Sequence, residues 1–263
     1  MKLDIRPKNV LIIGGASGIG YATAQFLLNC GVRSVILAGR SAEKLQKAEK
    51  SLVKSEADQT VLTSQFDIAS VDTHIELLNS IHSRLGVFPD GLVISSGVNF
   101  SSASWKGFNI SEKDYDRVMD INLKGPFFLI RNYSNFMYER NLRANICAVS
   151  SISAHRDMQS VYQISKNALS GLVHAYGKHL AKRGIILNGV EPGSTDTGMM
   201  PHLKKYTDGR REGEIWTDNG IQRVIRPEEI AEVVGYLMSE NCDVLAGTCL
   251  LAGGGCRSIP RGN

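Results

Sequence analysis

Three features are missing from this 263-residue sequence: a long apolar run, paired cysteines and a cluster of basic residues. No apolar run approaches the roughly 20 residues that span a bilayer. The opening residues, MKLDIRPKN, contain an acid and a proline, and no long apolar stretch follows them. We therefore expect neither a signal peptide nor a membrane anchor, and we expect a cytoplasmic protein.

The cysteines and histidines show no spacing typical of a disulfide framework or a metal site. Five cysteines are dispersed, with no Cys-x-x-Cys spacing: Cys30, Cys147, Cys242, Cys249 and Cys256. We interpret them as the reduced thiols of a cytosolic protein. The six histidines have no metal-ligand spacing either, so we expect no metal. His74 and His82 are predicted to lie on the surface of an amphipathic helix, and His155 is either a solvated loop residue or a substrate contact.

The charge pattern argues against nucleic acid as a partner. Net charge is +4, and the lysines and arginines are scattered along the chain. A nucleic-acid-binding protein usually concentrates them in one patch. With 43% hydrophobic and 21% charged residues, the composition is that of an ordinary globular protein that can bury a sizeable core.

Seven short apolar runs recur along the chain, most of them followed by an amphipathic segment. They are VLII at 10–13, SVILA at 34–38, VLTSQF at 61–66, GLVIS at 91–95, ANICAV at 144–149, GIILNGV at 184–190 and TCLLA at 248–252. This alternation predicts a doubly wound, Rossmann-type α/β fold, with about seven parallel strands and helices on both faces. Continuously apolar strands are expected to be buried on both faces. No linker interrupts the pattern, so we expect residues 1–263 to form one domain with its ligand at the carboxyl ends of the strands.

The first predicted strand ends in GGASGIG, where Gly14, Gly18 and Gly20 are spaced Gly-x-x-x-Gly-x-Gly. Glycine permits a tight turn from strand to helix and a close approach of the backbone to a pyrophosphate. A helix that starts near Gly18 points its amide hydrogens and its positive dipole end at that anion. The position between the first strand and the first helix favours a dinucleotide-binding loop over a plain glycine-rich turn.

The end of the second predicted strand, VILAGRS, favours NADP(H) over NAD(H). An acidic residue there would bind the ribose 2′-hydroxyl of NAD, whereas this chain has Gly39 and Arg40. Glycine leaves room, and arginine offers a forked donor for a phosphate. The alternative is a solvated arginine at a strand end. Asp67, after the third run, either accepts a hydrogen bond from the adenine amino group or caps the next helix.

Taken in order from about residue 8 to 254, these motifs resemble the classical short-chain dehydrogenase/reductase family. The glycine loop is similar to its Thr-Gly-x-x-x-Gly-x-Gly, DYDRVMDINLKGPFF (114–128) to its helix-asparagine segment, AVSSISA (148–154) to its serine segment, YQISK to its Tyr-x-x-x-Lys motif, and NGVEPGSTDT (188–197) to its Pro-Gly motif near the nicotinamide. The chain departs from the family at Ile13, which replaces the threonine, and at ISSG (94–97), which replaces Asn-Asn-Ala-Gly.

The resemblance implies four catalytic residues, Asn122, Ser151, Tyr162 and Lys166. Tyr162 is expected to be the general acid/base of hydride transfer between NADP(H) and a ketone or secondary alcohol. Lys166 is expected to lower the pKa of that tyrosine and to hold the nicotinamide ribose. Ser151 is expected to bind the substrate oxygen, and Asn122 to hold a water that links Lys166 to solvent.

Each of these assignments has an alternative. Tyr162 and Lys166 are spaced i, i+4, which is also the spacing of an ordinary helix surface. Ser150 is a second candidate for the catalytic serine, and Asn122 would also suit a helix kink or cap. The stretch from Ser151 to Tyr162 is about two residues shorter than is common in the family, and we expect this to change the wall of the substrate pocket.

The glycine loop, the strand ends and the resemblance together predict a set of cofactor-contacting residues. These are Gly14, Ser17, Gly18, Ile19, Gly20, Arg40, Ser41, Asp67, Ile68, Ser95, Gly97, Tyr162, Lys166, Pro192, Gly193, Thr195 and Thr197.

The polar segment at about 198–226 resembles the family's substrate lid. Four basic residues in it would suit a carboxylate- or phosphate-bearing substrate such as an acyl carrier, or simply form a solvated loop: Lys204, Lys205, Arg210 and Arg211. The resemblance also implies a homotetramer or homodimer through the helices at 111–139 and 161–182.

We therefore expect an NADP(H)-dependent carbonyl reductase, with 3-oxoacyl compounds among the candidate substrates. The alternative is a non-catalytic dinucleotide sensor or scaffold on the same fold. Such a protein would be expected to lose the tyrosine or the lysine, and this chain keeps both.

Overall fold

A computed structural model describes residues 3–99, 110–155, 160–199, 206–207, 210–211 and 219–256. Its strands are β1 (Asn9–Ile13), β2 (Ser34–Gly39), β3 (Thr60–Gln65), β4 (Gly91–Ile94), β5 (Ala144–Val149), β6 (Ile185–Pro192), β7 (Tyr206–Thr207), β8 (Arg210–Arg211) and β9 (Cys249–Ala252). Seven of them form a parallel sheet in the order β3-β2-β1-β4-β5-β6-β9. The short strands β7 and β8 pair with each other in an antiparallel ladder that the sequence did not predict.

The described residues include seven α-helices, most of which connect two strands of the parallel sheet. They are α1 (Gly18–Asn29), α2 (Ala42–Ser51), α3 (His74–Leu85), α4 (Glu112–Met119), α5 (Gly125–Tyr138), α6 (Val161–Ala181) and α7 (Pro227–Leu237). Short 3₁₀ turns cover Val71–Thr73, Ile152–His155 and Glu240–Leu245. In the described part of the chain, each helix is too short or too polar to cross a lipid bilayer.

Helices cover both faces of the sheet because successive side chains of a strand point to opposite faces. In β1, Val10 and Ile12 pack into a core with α1, α2 and α7, whereas Leu11 and Ile13 pack into a second core with α3, α5 and α6. All four side chains are at most 2% exposed. The apolar runs therefore supply two cores at once, which confirms the predicted doubly wound α/β fold.

The strand order reverses at β1, since β2 and β3 lie on one side of it and β4, β5, β6 and β9 on the other. The loops that follow β1 and β4 diverge at such a point and leave a crevice at the carboxyl ends of the strands. The expectation that every strand is buried on both faces is wrong for β3 and β9, which are mostly half-buried. These two are the edge strands, with a neighbouring strand on one side only.

The helical segment expected at 111–139 is interrupted in its middle. A π-helical turn over Asp120–Lys124 separates α4 from α5. A β-carbon on Gly125 would lie 2.5 Å from the carbonyl oxygen of Ile68, so glycine lets the helix pass close to the chain that leaves β3. Single π turns inside helices are frequent at functional sites, and Asn122 lies in this one.

His74 is buried, which contradicts its predicted surface position. It is 0% exposed, its Nε2 lies 3.0 Å from the carbonyl oxygen of Ile68, and its ring centroid lies 5.6 Å from that of Phe66. The prediction placed it inside an amphipathic helix, but α3 begins at His74 itself, where the chain still packs against the end of β3. Burial lowers the pKa of His74, because the imidazolium is poorly solvated there. His82 is exposed, as predicted.

Because the pKa of His74 is lower in the folded than in the unfolded chain, the free energy of unfolding is expected to fall as pH drops below about 6.5. In that range the unfolded chain binds a proton that the folded chain does not, and the loss levels off below the folded-state pKa. Urea unfolding near neutral pH and at mildly acidic pH should show a weaker pH dependence in His74→Gln than in the wild type. His82→Gln is the control and should keep the wild-type dependence; equal dependence in all three proteins would contradict the assignment.

Candidate active site

The end of β5 and the start of α6 bring three of the predicted catalytic side chains together. Ser151 follows β5 closely, Tyr162 lies in the first turn of α6, and Lys166 lies one turn further along. The helix begins where it does because Ser160 caps it: its Oγ accepts the backbone N–H of Gln163 at 3.3 Å.

The side chain of Ser151 faces the hydroxyl of Tyr162 and acts to lower the pKa of that hydroxyl. Ser151 Oγ also accepts the backbone N–H of Ser153 at 3.1 Å, which holds the serine in a tight turn. Burial raises the pKa of Tyr162, and the hydrogen bond with Ser151 opposes this effect. A phenol with a raised pKa keeps its proton at neutral pH, as a proton donor must.

Lys166 is buried beside this pair. It is 3% exposed, its Nζ donates to the carbonyl oxygen of Val149 at 2.8 Å, and the same atom lies 5.9 Å from the ring centroid of Tyr162. Burial lowers the pKa of Lys166 to about 8. The ammonium of Lys166 is directed at the carbonyl oxygen of Val149, and burial is the largest effect on the pKa of Tyr162.

The two candidate serines point in different directions. Ser150 Oγ lies 2.9 Å from the carbonyl oxygen of Lys166 and 2.8 Å from Ser170 Oγ, so it faces the body of α6. Ser151 faces the hydroxyl of Tyr162 instead. Of the two, Ser151 is the one positioned to meet a substrate oxygen at the tyrosine.

Asn122 is fully buried and braces the loop after β4. Its Oδ1 accepts the backbone N–H of Val98 at 2.8 Å, and its Nδ2 donates to the carbonyl of Val98 at 2.9 Å and to Ser165 Oγ at 3.2 Å. A β-carbon on Gly97 would lie 3.6 Å from Asn122 Oδ1 and 3.5 Å from Lys166 Nζ. The two groups therefore border the same small space beside Gly97.

The glycine loop between β1 and α1 forms a cradle with no room for a side chain at Gly14 or Gly20. Gly14 and Gly18 have φ of 81° and 53°, in the left-handed region. A β-carbon on Gly14 would lie 2.9 Å from the backbone nitrogen of Ser96, and one on Gly20 would collide with the carbonyl oxygen of Gly14. Ser17 stands at the N-cap of α1 without a side-chain capping bond. The first amides of α1 and the bare backbone of the loop fit a dinucleotide pyrophosphate.

Gly20→Ala is expected to lower the free energy of unfolding by about 1–3 kcal/mol, because the added methyl forces the loop away from the helix. It should also weaken NADPH binding, since the loop is the predicted pyrophosphate site. Gly171→Ala is the matched control: a β-carbon there meets nothing within 4 Å. That change should raise stability by about 0.5–1 kcal/mol. Chemical unfolding and NADPH titration of both variants check this, and equal stability in the two would contradict it.

The chain that leaves β6 packs over the glycine loop. Thr197 Cγ2 lies 3.1 Å from the place of a β-carbon on Gly18. Thr195 Oγ1 donates to the carbonyl of Gly193 at 2.9 Å, and Thr195 forms a parallel bridge with Ile225. The two ends of the predicted lid are therefore tied together beside the cradle.

The predicted adenosine side is an open cavity of about 540 Å³. It is lined by Arg40, Asp67, Ala69, Glu112, Lys113, Asp116, Arg117, Asp120 and Ile121. Arg40 is exposed at the end of β2, and Ser41 Oγ caps α2 by accepting the N–H of Lys44 at 3.3 Å. Asp67 Oδ1 accepts the N–H of Ala69 at 3.1 Å and so closes a local turn. It does not cap the next helix, which was the alternative for this residue, because Ser70 and Thr73 hold the N-cap positions that follow.

Other predicted cofactor residues lie around the same crevice. Ile19 is in the first turn of α1 and Ile68 is buried after β3, whereas Pro192 ends β6. Ser95 keeps a backbone bond, N–H to the carbonyl of Ile13 at 2.9 Å, although Ser96 Oγ is buried and unpartnered within the described chain.

Part of two predicted regions lies outside the described residues. These are 156–159 in the loop between Ser151 and Tyr162, and 200–205, 208–209 and 212–218 in the predicted lid, including Lys204 and Lys205. Arg210 and Arg211 form β8. Among the described residues, no group of three or more His, Cys, Asp or Glu side chains is placed to hold a metal ion.

The sequence did not predict a site role for Ser165. Its Oγ donates to the carbonyl of Tyr162 at 2.7 Å and accepts from Asn122, so it joins the π turn to α6. The signal in the sequence that could have indicated this role is a small hydroxyl residue directly before Lys166.

A family model described as short chain dehydrogenase matches residues 8–207, which is more than half of the chain. The chain belongs to this family. The protein is therefore a short-chain dehydrogenase, an oxidoreductase of a family that uses a nicotinamide dinucleotide and acts on small molecules.

Two curated relatives match this short-chain dehydrogenase over nearly their whole length. The L-rhamnose 1-dehydrogenase (NADP(+)) of Thermoplasma acidophilum is 29% identical over 260 residues, which cover 96% of this chain and 97% of the relative. The 3-oxoacyl-(acyl-carrier-protein) reductase of Rickettsia prowazekii is 30% identical over 256 residues, which cover 96% and 98%.

A solved structure is also similar to this chain over most of its length. A variant of the actinorhodin polyketide ketoreductase, determined with NADPH, is 27% identical with a TM-score of 0.78 and covers 94% of this chain and 96% of that one.

Proposed function

We propose that this short-chain dehydrogenase transfers hydride between NADP(H) and a ketone or secondary alcohol, with Tyr162 as general acid/base. The observation that most supports this is that Ser151 faces the hydroxyl of Tyr162 beside the buried Lys166, next to a glycine cradle that fits a dinucleotide. A non-catalytic sensor on the same fold would need the cradle but not this pair.

The reaction needs a proton on the carbonyl oxygen as negative charge develops there. Ser151 donates a hydrogen bond to that oxygen, and Tyr162 transfers its phenolic proton to it. The charge of Lys166, one turn away, then stabilises the tyrosinate. Because the pKa of Lys166 is about 8, this side chain can also exchange protons near neutral pH. Asn122 borders the same space and holds a water between Lys166 and solvent.

Bound nicotinamide supplies the hydride. The residues that would hold the cofactor fall into three groups around the crevice. They are Gly14, Ser17, Gly18, Ile19 and Gly20 at the pyrophosphate; Arg40, Ser41, Asp67 and Ile68 at the adenosine; and Ser95, Gly97, Tyr162, Lys166, Pro192, Gly193, Thr195 and Thr197 at the nicotinamide.

We infer a preference for NADP(H) from the charge at the end of β2. Gly39 leaves space there. Arg40 is exposed at the rim of the open cavity, where its guanidinium can form a bidentate pair of hydrogen bonds with a phosphate. One relative is named for NADP(+), and the ketoreductase structure contains NADPH.

The substrate class we propose is a small ketone, with 3-oxoacyl compounds as the first to test. One relative is a 3-oxoacyl-(acyl-carrier-protein) reductase, and four of the basic residues in the segment 198–226 would suit an acidic carrier, namely Lys204, Lys205, Arg210 and Arg211. We take 1–263 as one cytoplasmic domain with 198–226 as its lid. The exposed Tyr115 and Tyr176, on α4 and α6, support pairing of these helices in a homotetramer or homodimer.

The test is NADPH oxidation with a panel of β-keto esters, 3-oxoacyl thioesters, cyclic ketones and quinones. We expect turnover of at least one ketone and slower turnover with NADH. NADPH binding without turnover of any carbonyl compound would favour the dinucleotide sensor instead.

A further inference from the structure

A chain of buried polar groups runs beneath the proposed catalytic residues. His155 Nε2 lies 2.6 Å from Glu191 Oε2, and Glu191 Oε1 accepts from Ser170 Oγ at 2.7 Å. Ser170 Oγ lies 2.8 Å from Ser150 Oγ, which lies 2.9 Å from the carbonyl oxygen of Lys166. Four contacts therefore connect a histidine at the surface with the backbone of the active-site lysine.

Glu191 is an unexpected residue at its position. It lies in β6, one residue before Pro192, and is 1% exposed inside a parallel sheet whose strands bury mostly apolar side chains. A buried carboxylate costs free energy unless hydrogen bonds and a counter-charge compensate it. Both oxygens have a partner here, and His155, whose side chain is 45% exposed, connects the carboxylate to the surface.

This row of polar contacts joins three segments whose relative positions matter for the proposed reaction. His155 ends the 3₁₀ turn that follows Ser151, and Ser150 precedes that serine directly. Ser170 lies on α6 one turn after Lys166. A further bond, from Asn167 Nδ2 to the carbonyl oxygen of Ala154 at 2.8 Å, also ties the turn to α6. Both sides of Ser151 are thus fixed to the helix that bears Tyr162.

We propose that Glu191 is a positioning residue that, through His155 and Ser170, holds the turn of Ser151 against α6 and so keeps Ser151 in hydrogen-bond contact with Tyr162. This inference rests on the proposed function. We call Glu191, His155 and Ser170 the brace. Under this proposal their side chains support the short stretch between Ser151 and Tyr162 and touch neither substrate nor cofactor.

The experiment compares Glu191→Leu with Glu191→Gln. The glutamine amide can accept from His155 and donate to Ser170, whereas leucine has a similar size and can do neither. We expect Glu191→Leu to lower kcat by about tenfold, less than the 10²-fold of a 1 Å misplacement, with the KM for NADPH within about twofold of wild type. Glu191→Gln should keep kcat within about threefold of wild type. Glu232→Leu, the same change at an exposed site on α7, is the matched control.

A titration of Tyr162 provides a readout that does not need turnover. Since the hydrogen bond with Ser151 opposes the raised pKa of Tyr162, its loss should raise that pKa further in Glu191→Leu and leave it unchanged in Glu191→Gln. Ultraviolet difference titration of each variant against its Tyr162→Phe counterpart measures this. If Glu191→Leu does not fold, His155→Ala and its rescue by His155→Gln provide the same comparison at a half-exposed site.

The outcomes separate the two proposals. A wild-type protein that reduces no ketone contradicts the proposed function. The titration of Tyr162 then tests by itself whether Glu191 positions Ser151. A wild-type protein that reduces ketones, together with a folded Glu191→Leu of unchanged kcat and unchanged tyrosine pKa, overturns the brace. Equal losses in Glu191→Gln and Glu191→Leu also overturn it, because the hydrogen bonds would then not be the cause.

Discussion

Tyr162→Phe is expected to lower kcat for any accepted ketone by about 10²–10⁴-fold, which is the usual contribution of a positioned proton donor. Phenylalanine keeps the ring in its pocket on α6 but removes the proton and the hydrogen bond with Ser151. NADPH binding should change little, because Tyr162 is only one of the predicted cofactor contacts and the glycine cradle is untouched. Steady-state kinetics together with a fluorescence titration of NADPH separates these two effects.

Tyr176→Phe is the control for this substitution. Tyr176 lies on the same helix but is 46% exposed, and its ring packs edge-on against Phe127 with 6.1 Å between centroids. We expect wild-type kcat from it. If Tyr162→Phe reduces the ketone as fast as Tyr176→Phe does, the assignment of the proton donor is wrong.

Arg40→Glu is expected to reverse the cofactor preference, with the ratio of kcat/KM for NADPH to that for NADH falling by about 100-fold. A hydrogen bond to a charged group contributes about 1.5–3 kcal/mol, or roughly 10- to 150-fold. The variant loses such a bond and places a carboxylate where the 2′-phosphate would lie. The same carboxylate can accept the ribose 2′-hydroxyl of NADH, so NADH should gain while NADPH loses. Kinetics with both cofactors at a saturating ketone measures the ratio.

Arg33→Glu makes the same charge change just before the opposite end of β2. Arg33 is exposed, far from the carboxyl ends of the strands, and its backbone N–H bonds the carbonyl of Lys8. This control tests whether net charge alone alters the preference, and its cofactor ratio should match the wild type. A ratio in Arg40→Glu that also stays at the wild-type value would contradict an NADP(H) site at Arg40.

The strands of the sheet were predictable because most of them are largely apolar runs. Side chains along β1 alternate between two cores, so both faces require apolar residues and the run is visible in the sequence. The boundaries moved by no more than a residue or two, as in β6, which extends to Pro192. The sequence could not show that β3 and β9 are the edges, because strand order depends on how the crossovers pack.

The glycine cradle was predictable for a related reason. Gly14, Gly18 and Gly20 have no room for a β-carbon or have positive φ, and glycine is the residue that meets either requirement at low cost. Tyr162 and Lys166 could be placed on one helix by their spacing alone. Their relation to Ser151 depends on a strand end meeting a helix start.

Three features depend on tertiary packing that no local pattern reveals. His74 is buried because α3 starts at the residue itself, next to the end of β3. The π turn at Asn122 follows from the close passage of Gly125 over Ile68. The contact between His155 and Glu191 joins residues 36 positions apart, and its acidic member lies in a strand that otherwise reads as apolar.

The most direct test of the proposed chemistry follows the hydride itself. The protein is given NADPH labelled with deuterium at C4 of the nicotinamide, each face in a separate reaction, together with an accepted ketone. We expect one of the two labels to be found on the carbinol carbon of a single product enantiomer, in a one-to-one ratio with the NADP⁺ formed. NADPH oxidation without deuterium on that carbon, or NADPH binding with no oxidation by any ketone of the panel, would contradict hydride transfer at this site.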